Sequence, residues 1–75
     1  MAREVFHVLP AGDDKWRVAP EGSLMGPIFE NKDEAVRHAK DQAKAAQLGQ
    51  VIVHGRDGRI QYETTYGKDP REQKG

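Results

Sequence analysis

Apolar residues alternate with polar ones over two early stretches of the chain. In Glu4 to Leu9, Phe6 and Val8 fall on one side and Val5, His7 and Leu9 on the other, the period of two that marks a strand. Lys15 to Ala19 repeats it, with Trp16 and Val18 opposed to Lys15, Arg17 and Ala19. Pro10-Ala11-Gly12-Asp13-Asp14 reads as the turn between them and Pro20-Glu21-Gly22-Ser23 as the next, because proline presets φ and glycine admits positive φ. A third strand is expected over Leu24 to Phe29, interrupted by Gly26-Pro27. Proline donates nothing to a ladder, so that strand belongs at an edge or carries a bulge.

The period then changes. Ala35, Val36, Ala39, Ala43 and Ala46 fall in one stripe at 100° per residue, an amphipathic helix with an apolar face of small side chains. Asn31 stands three residues before Glu34, close to a capping box, and Asp33 and Glu34 place negative charge where the helix dipole favours it. Gly49, after Leu48, is the expected C-terminal stop. Gln50 to His54, around Val51-Ile52-Val53, reads as a buried strand, and Ile60 to Thr65 as its partner. The Asp57-Gly58 pair between them suits a type I′ hairpin turn. The fold class expected is α+β, a small mostly antiparallel sheet in the order β-β-β-α-β-β with one helix packed on one face. Residues 1–66 form a single domain and 67–75 a polar tail with no apolar residue besides proline.

Size and composition narrow the function. Seventy-five residues make one small domain near the lower limit for folding without staples. Association with a partner, including a second copy, would relieve that shortage of buried surface. Twelve Lys and Arg balance twelve Asp and Glu, and there is no cysteine, so disulfides, thiol nucleophiles and thiolate metal sites are excluded. No run approaches the ~20 apolar residues of a membrane span, and the charged start has no apolar signal-peptide core. The expectation is a cytoplasmic protein without membrane association.

No catalytic constellation stands out. His7, His38 and His54 lack metal-motif spacing, Ser23 sits in a turn, and Asp13-Asp14 and Asp33-Glu34 are explained by a turn and a helix start. We therefore expect no enzyme, no metal and no cofactor, although His7 and His54 would become neighbours if the first and fourth strands paired. Basic residues offer the remaining chemistry. Arg37, Lys40 and Lys44 share one helix flank, Arg56 and Arg59 bracket the hairpin turn, and Lys15 and Arg17 lie on the second strand. These seven are the candidate contacts to nucleic acid or a partner. Asp33–Arg37 and Arg37–Asp41, both spaced i,i+4, argue instead for a flank neutralised by its own ion pairs. Trp16 is expected in the core; the sequence leaves Tyr62 and Tyr66 unassigned between edge and partner contacts.

These segments resemble a known family. His7-Val8-Leu9-Pro10, Trp16-Arg17-Val18, Glu21-Gly22 and Phe29 followed by Asn31-Lys32-Asp33-Glu34-Ala35 look like the first half of the bacterial domain-of-unknown-function family 2188. Val51 to Gln61 and Thr65-Tyr66-Gly67-Lys68-Asp69-Pro70 resemble its closing motif, and only Leu9, where a smaller β-branched residue is usual, departs from the pattern. The layout also looks like the three-strand, helix, strand module of YegP-like proteins, in which two modules join into one sheet with exchanged C-terminal strands. The resemblance implies no catalytic or ligand residues, and fold alone assigns no function. The reading reached is a non-enzymatic binding or protein-interaction module that self-associates through a sheet edge as a homodimer. The alternative is a weak nucleic-acid binder using the sheet face and the basic helix flank.

Overall fold

The computed structural model describes residues 4–46 and 48–67. Five strands and one helix follow in the order β1 (Glu4–Pro10), β2 (Trp16–Pro20), β3 (Ile28–Phe29), α1 (Lys32–Ala45), β4 (Leu48–His54) and β5 (Ile60–Gly67). They form a single sheet in the spatial order β3-β2-β1-β4-β5. The β1–β2, β2–β3 and β4–β5 pairs are antiparallel, and the central β1–β4 pair is parallel. The helix supplies the crossover that a parallel pair requires. This is the α+β domain that the periodicity indicates, and β5 pairs with β4 of its own chain.

The faces assigned to β1 and β2 hold. Val8, Trp16, Val18, Val51 and Val53 turn towards α1 and meet Ala35, Ala39 and Ala43 in one core, with Phe6, Phe29, Val36 and Tyr66 around it. Three alanines on the helix keep its side chains short, so its axis lies close to the sheet. The contact is closest at Gly49, where a Cβ would stand 2.2 Å from the Ala43 carbonyl oxygen. Gly49 is thus not the helix stop expected from sequence. The helix ends at Ala45, Ala46 adopts extended backbone as its C-cap, and Gly49 is already inside β4, passing beneath the last turn.

At the other end the cap is as expected. The Asn31 side chain accepts from the Glu34 N–H at 2.9 Å, satisfying one of the donors that a helix N-terminus leaves free. The third strand is shorter than expected, only Ile28–Phe29, and lies at the sheet edge. Gly26 packs its backbone onto the Val18 carbonyl, where a Cβ would clash at 1.8 Å, and Pro27 accepts from Val18 N–H at 3.0 Å. The segment before Ile28 thus follows β2 without forming a ladder.

The β4–β5 turn also differs in type. Type I′ needs positive φ at both central residues, whereas here only Gly58 has it, at 89°. Gly55 N–H donates to the Arg59 carbonyl at 2.7 Å, so the loop holds three residues, Arg56-Asp57-Gly58, with glycine in the left-handed position. The Asp57 carboxylate accepts the Arg59 N–H at 3.0 Å and stabilises this longer form. Gly67 is the last residue of β5, so the strand runs one residue into the segment read as tail. Residues 68–75 lie outside those described.

Candidate functional site

Two places gather polar chemistry. The first is on the sheet face opposite α1. The parallel β1–β4 ladder sets His7 beside Ile52, two residues from His54 on the same face, and brings the two imidazoles together. Glu21 joins them because its backbone N–H donates to the Val5 carbonyl at 2.8 Å, in a turn whose positive φ falls on Gly22. The result is a chain of contacts: Glu21 Oε1 to His7 Nε2 at 2.7 Å, His7 Nδ1 to His54 Nε2 at 3.0 Å, and His54 Nδ1 to the Gly58 carbonyl at 3.0 Å.

A proton count fixes what this chain can do. Glu21 as a carboxylate and the Gly58 carbonyl only accept, so His7 Nε2 and His54 Nδ1 must both donate, and the contact between the rings needs a third proton. Two neutral imidazoles carry one N–H each. Two neutral rings therefore satisfy two of the three contacts at a time. Every one of the four ring nitrogens faces a protein partner. The network ties β1, β4, the Glu21 turn and the hairpin loop together. Among the described residues no group of three His, Asp or Glu side chains is arranged to hold a metal ion.

The second place is on the other face, beside the edge strand β5. An open groove of about 590 Å³ runs between α1 and β5, with Lys32, Val36, Arg37, Lys40 and Lys44 along the helix and Tyr62 on the strand. Asp33 and Asp41 also border it. The ion pairs expected for Asp33–Arg37 and Arg37–Asp41 do not form: among the described residues no ion pair engages Arg37, Lys40 or Lys44. Lys44 instead stands 5.8 Å from the centre of the Tyr66 ring.

The seven basic residues singled out from sequence are thus divided. Arg37, Lys40 and Lys44 line one groove. Arg17 lies on the opposite sheet face between Leu9 and Ile28, its Nε buried without a partner. Lys15 approaches Glu30 at 3.9 Å and Arg59 approaches Asp57 at 3.9 Å. Arg56 is a clip between turns: it lies 4.9 Å from the Trp16 ring centre, 3.6 Å from Asp14 and 3.5 Å from the Gly12 carbonyl. Arg17 and the helix flank thus lie on opposite faces of the sheet. Lys32 and Tyr62 were missed as neighbours of the flank. The i,i+4 column Lys32-Val36-Lys40-Lys44 signals the first, but nothing local signals Tyr62, whose placement depends on the β4–β5 register.

Trp16 is in the core as expected, only 5% exposed, with Lys32 and Arg56 against its ring. No helix is long and apolar enough to cross a membrane among the described residues. The molecule is thus a small α+β domain with one helix on a five-stranded mixed sheet, a histidine pair on one face and a cationic groove on the other. The chain belongs to the family described as an uncharacterised protein conserved in bacteria, domain-of-unknown-function family 2188, whose model matches residues 6–66. Comparison with curated proteins and with solved structures finds no match.

Proposed function

We propose that this domain is a non-enzymatic interaction module whose β5 edge pairs with the β5 of a second copy. One observation carries the reading. β5 is eight residues long, ends the sheet, and is hydrogen-bonded to a neighbour strand only on its β4 side among the described residues. Exposed edges are normally blunted by proline, lysine, bulges or brevity. The other edge, β3, has two residues and follows Gly26-Pro27. β5 has no proline and no lysine, and its one charge is Glu63. The thin core supports the reading, since four of the nine buried hydrophobic residues among those described, Ala19 with the three helix alanines, are alanines.

The side chains select a register. Tyr62, Thr64 and Tyr66 face the helix side, opposite Val53, Val51 and Gly49 of β4. Antiparallel pairing centred on Thr64 sets each Tyr62 across from the partner's Tyr66, an aromatic cross-strand pair, and each Glu63 across from the partner's Thr65. Centring on Glu63 would oppose two carboxylates, which costs stability. Two sheets then join into one with both helices on the same side.

Sedimentation over a range of concentrations tests this. Dimer is expected to form as concentration rises through the micromolar range. Thr64→Lys sets two ammonium groups face to face at the centre and should abolish it. Thr65→Lys sets each lysine across from the partner's Glu63 and should not. A wild-type protein that stays monomeric well above micromolar concentration refutes the proposal, as does equal loss in both variants.

A further inference from the structure

The groove between α1 and β5 shares only Tyr62 with the proposed edge pairing and has a chemistry of its own. Its helix wall carries Lys32, Arg37, Lys40 and Lys44 against the carboxylates of Asp33 and Asp41. Lys32 is committed, bonding to the Gln61 side-chain oxygen and standing 4.7 Å from the Trp16 ring centre. Among the described residues no ion pair or side-chain hydrogen bond engages Arg37, Lys40 or Lys44, although Lys44 stands 5.8 Å from the Tyr66 ring centre. Unneutralised cations lined up along a concave surface are the electrostatic footprint of a polyanion. The three rise by about 10 Å along the helix at 1.5 Å per residue, a row rather than a cluster.

Tyr62 decides which polyanion. It borders the groove and stays 45% exposed, although a small domain gains by burying its aromatic rings. A half-exposed ring beside a row of cations is the pairing that single-stranded nucleic acid uses, its backbone on the charges and a base stacked on the ring. An acidic peptide has no use for the ring face. A duplex would need cations on a broader front than one helix flank, since the other basic residues lie elsewhere in the fold.

We propose that this groove binds single-stranded nucleic acid, with Arg37, Lys40 and Lys44 contacting successive phosphates and Tyr62 stacking on a base. Each groove is complete within one chain; β5 pairing sets two of them side by side and is not required for binding.

Fluorescence anisotropy with short labelled oligothymidylate and oligouridylate measures the binding, the two arms separating DNA from RNA. With three phosphate contacts on a single strand, log K should fall against log salt with a slope of about −2. Tyr62→Ala should weaken binding by about tenfold or more. The Lys40→Glu, Lys44→Glu double variant should abolish it while sedimenting as wild type does, which separates loss of the groove from loss of pairing. A milder Lys40→Gln, Lys44→Gln variant serves if charge reversal unfolds the domain, and should flatten the salt slope to about −0.7. Binding that survives the Lys40→Glu, Lys44→Glu variant, a salt slope that the Lys40→Gln, Lys44→Gln variant leaves at the wild-type value, a wild-type slope near zero, or equal competition by polyglutamate overturns the proposal.

Discussion

Replacing Gly49 by alanine opposes two effects of different sign. Strand propensity alone says the change should help, because glycine in a strand interior costs roughly 0.5–1 kcal/mol relative to alanine through backbone entropy. Packing says the reverse. The added methyl group would stand 2.2 Å from the Ala43 carbonyl oxygen and 2.7 Å from both its carbonyl carbon and its Cα. All three are backbone atoms, so no rotamer change relieves them. Restoring ordinary contact means lifting the last turn of α1 off β4 by about 1 Å, and gaps of that size forfeit a quarter to a half of each dispersion contact. Overpacking of this kind costs about 1–3 kcal/mol. Contacts this short with backbone atoms put the cost at the upper end of that range, which leaves about 2 kcal/mol after the propensity gain is subtracted. For a domain of this size 1 kcal/mol moves Tm by about 4–8 °C, so Gly49→Ala should melt about 8–16 °C below wild type. Thermal unfolding followed by circular dichroism, at one fixed protein concentration, measures it. An unchanged or raised Tm would refute the close helix–sheet approach on which the description of the core rests.

Two further substitutions test local structure. Asn31→Ala removes the acceptor for Glu34 N–H and should cost about 1 kcal/mol, seen as a lower urea midpoint with an unchanged m-value; a midpoint unmoved would mean the cap does not act. His54→Ala deprives His7 Nδ1 and the Gly58 carbonyl of their partner at once and should cost about 1–2 kcal/mol. Amide exchange should quicken in both β1 and the 55–59 loop, since the network joins them, and quickening confined to the loop would show that the ring-to-ring contact contributes nothing.

Local chemistry made much of this fold readable. Alternation assigned the faces of β1 and β2, the Asn31–Glu34 spacing located the helix start, and Gly26-Pro27 placed the third strand at an edge. Where the reading failed, longer-range contacts had overridden a local signal. Gly49 looks like a helix stop because glycine commonly ends helices, yet its role is to let β4 pass under Ala43. Asp57-Gly58 looks like a two-residue turn, and the Arg59 N–H to Asp57 bond converts it to a three-residue one. The histidine pair joins residues 47 apart in sequence and needs the parallel β1–β4 ladder, which no local pattern announces. The groove was half legible. Its helix wall follows from the wheel, whereas Tyr62 reaches it through the β4–β5 register, which shifts between Val53 and His54.

Pairing of β5 about Thr64 is the central claim, and a disulfide tests it most directly. The chain has no cysteine of its own, so a single introduced thiol can bond only to its copy. Residues directly opposed across an antiparallel pair have Cβ atoms about 4.5–5.5 Å apart, close to the ~3.5–4.5 Å that a disulfide spans. Glu63→Cys, Thr64→Cys and Thr65→Cys would be oxidised mildly in parallel and resolved on a non-reducing gel. Rapid cross-linking of Thr64→Cys, with Glu63→Cys and Thr65→Cys left largely monomeric, is the result expected from a Thr64-centred pair. No cross-link at Thr64, or equal cross-linking at all three positions, would contradict it.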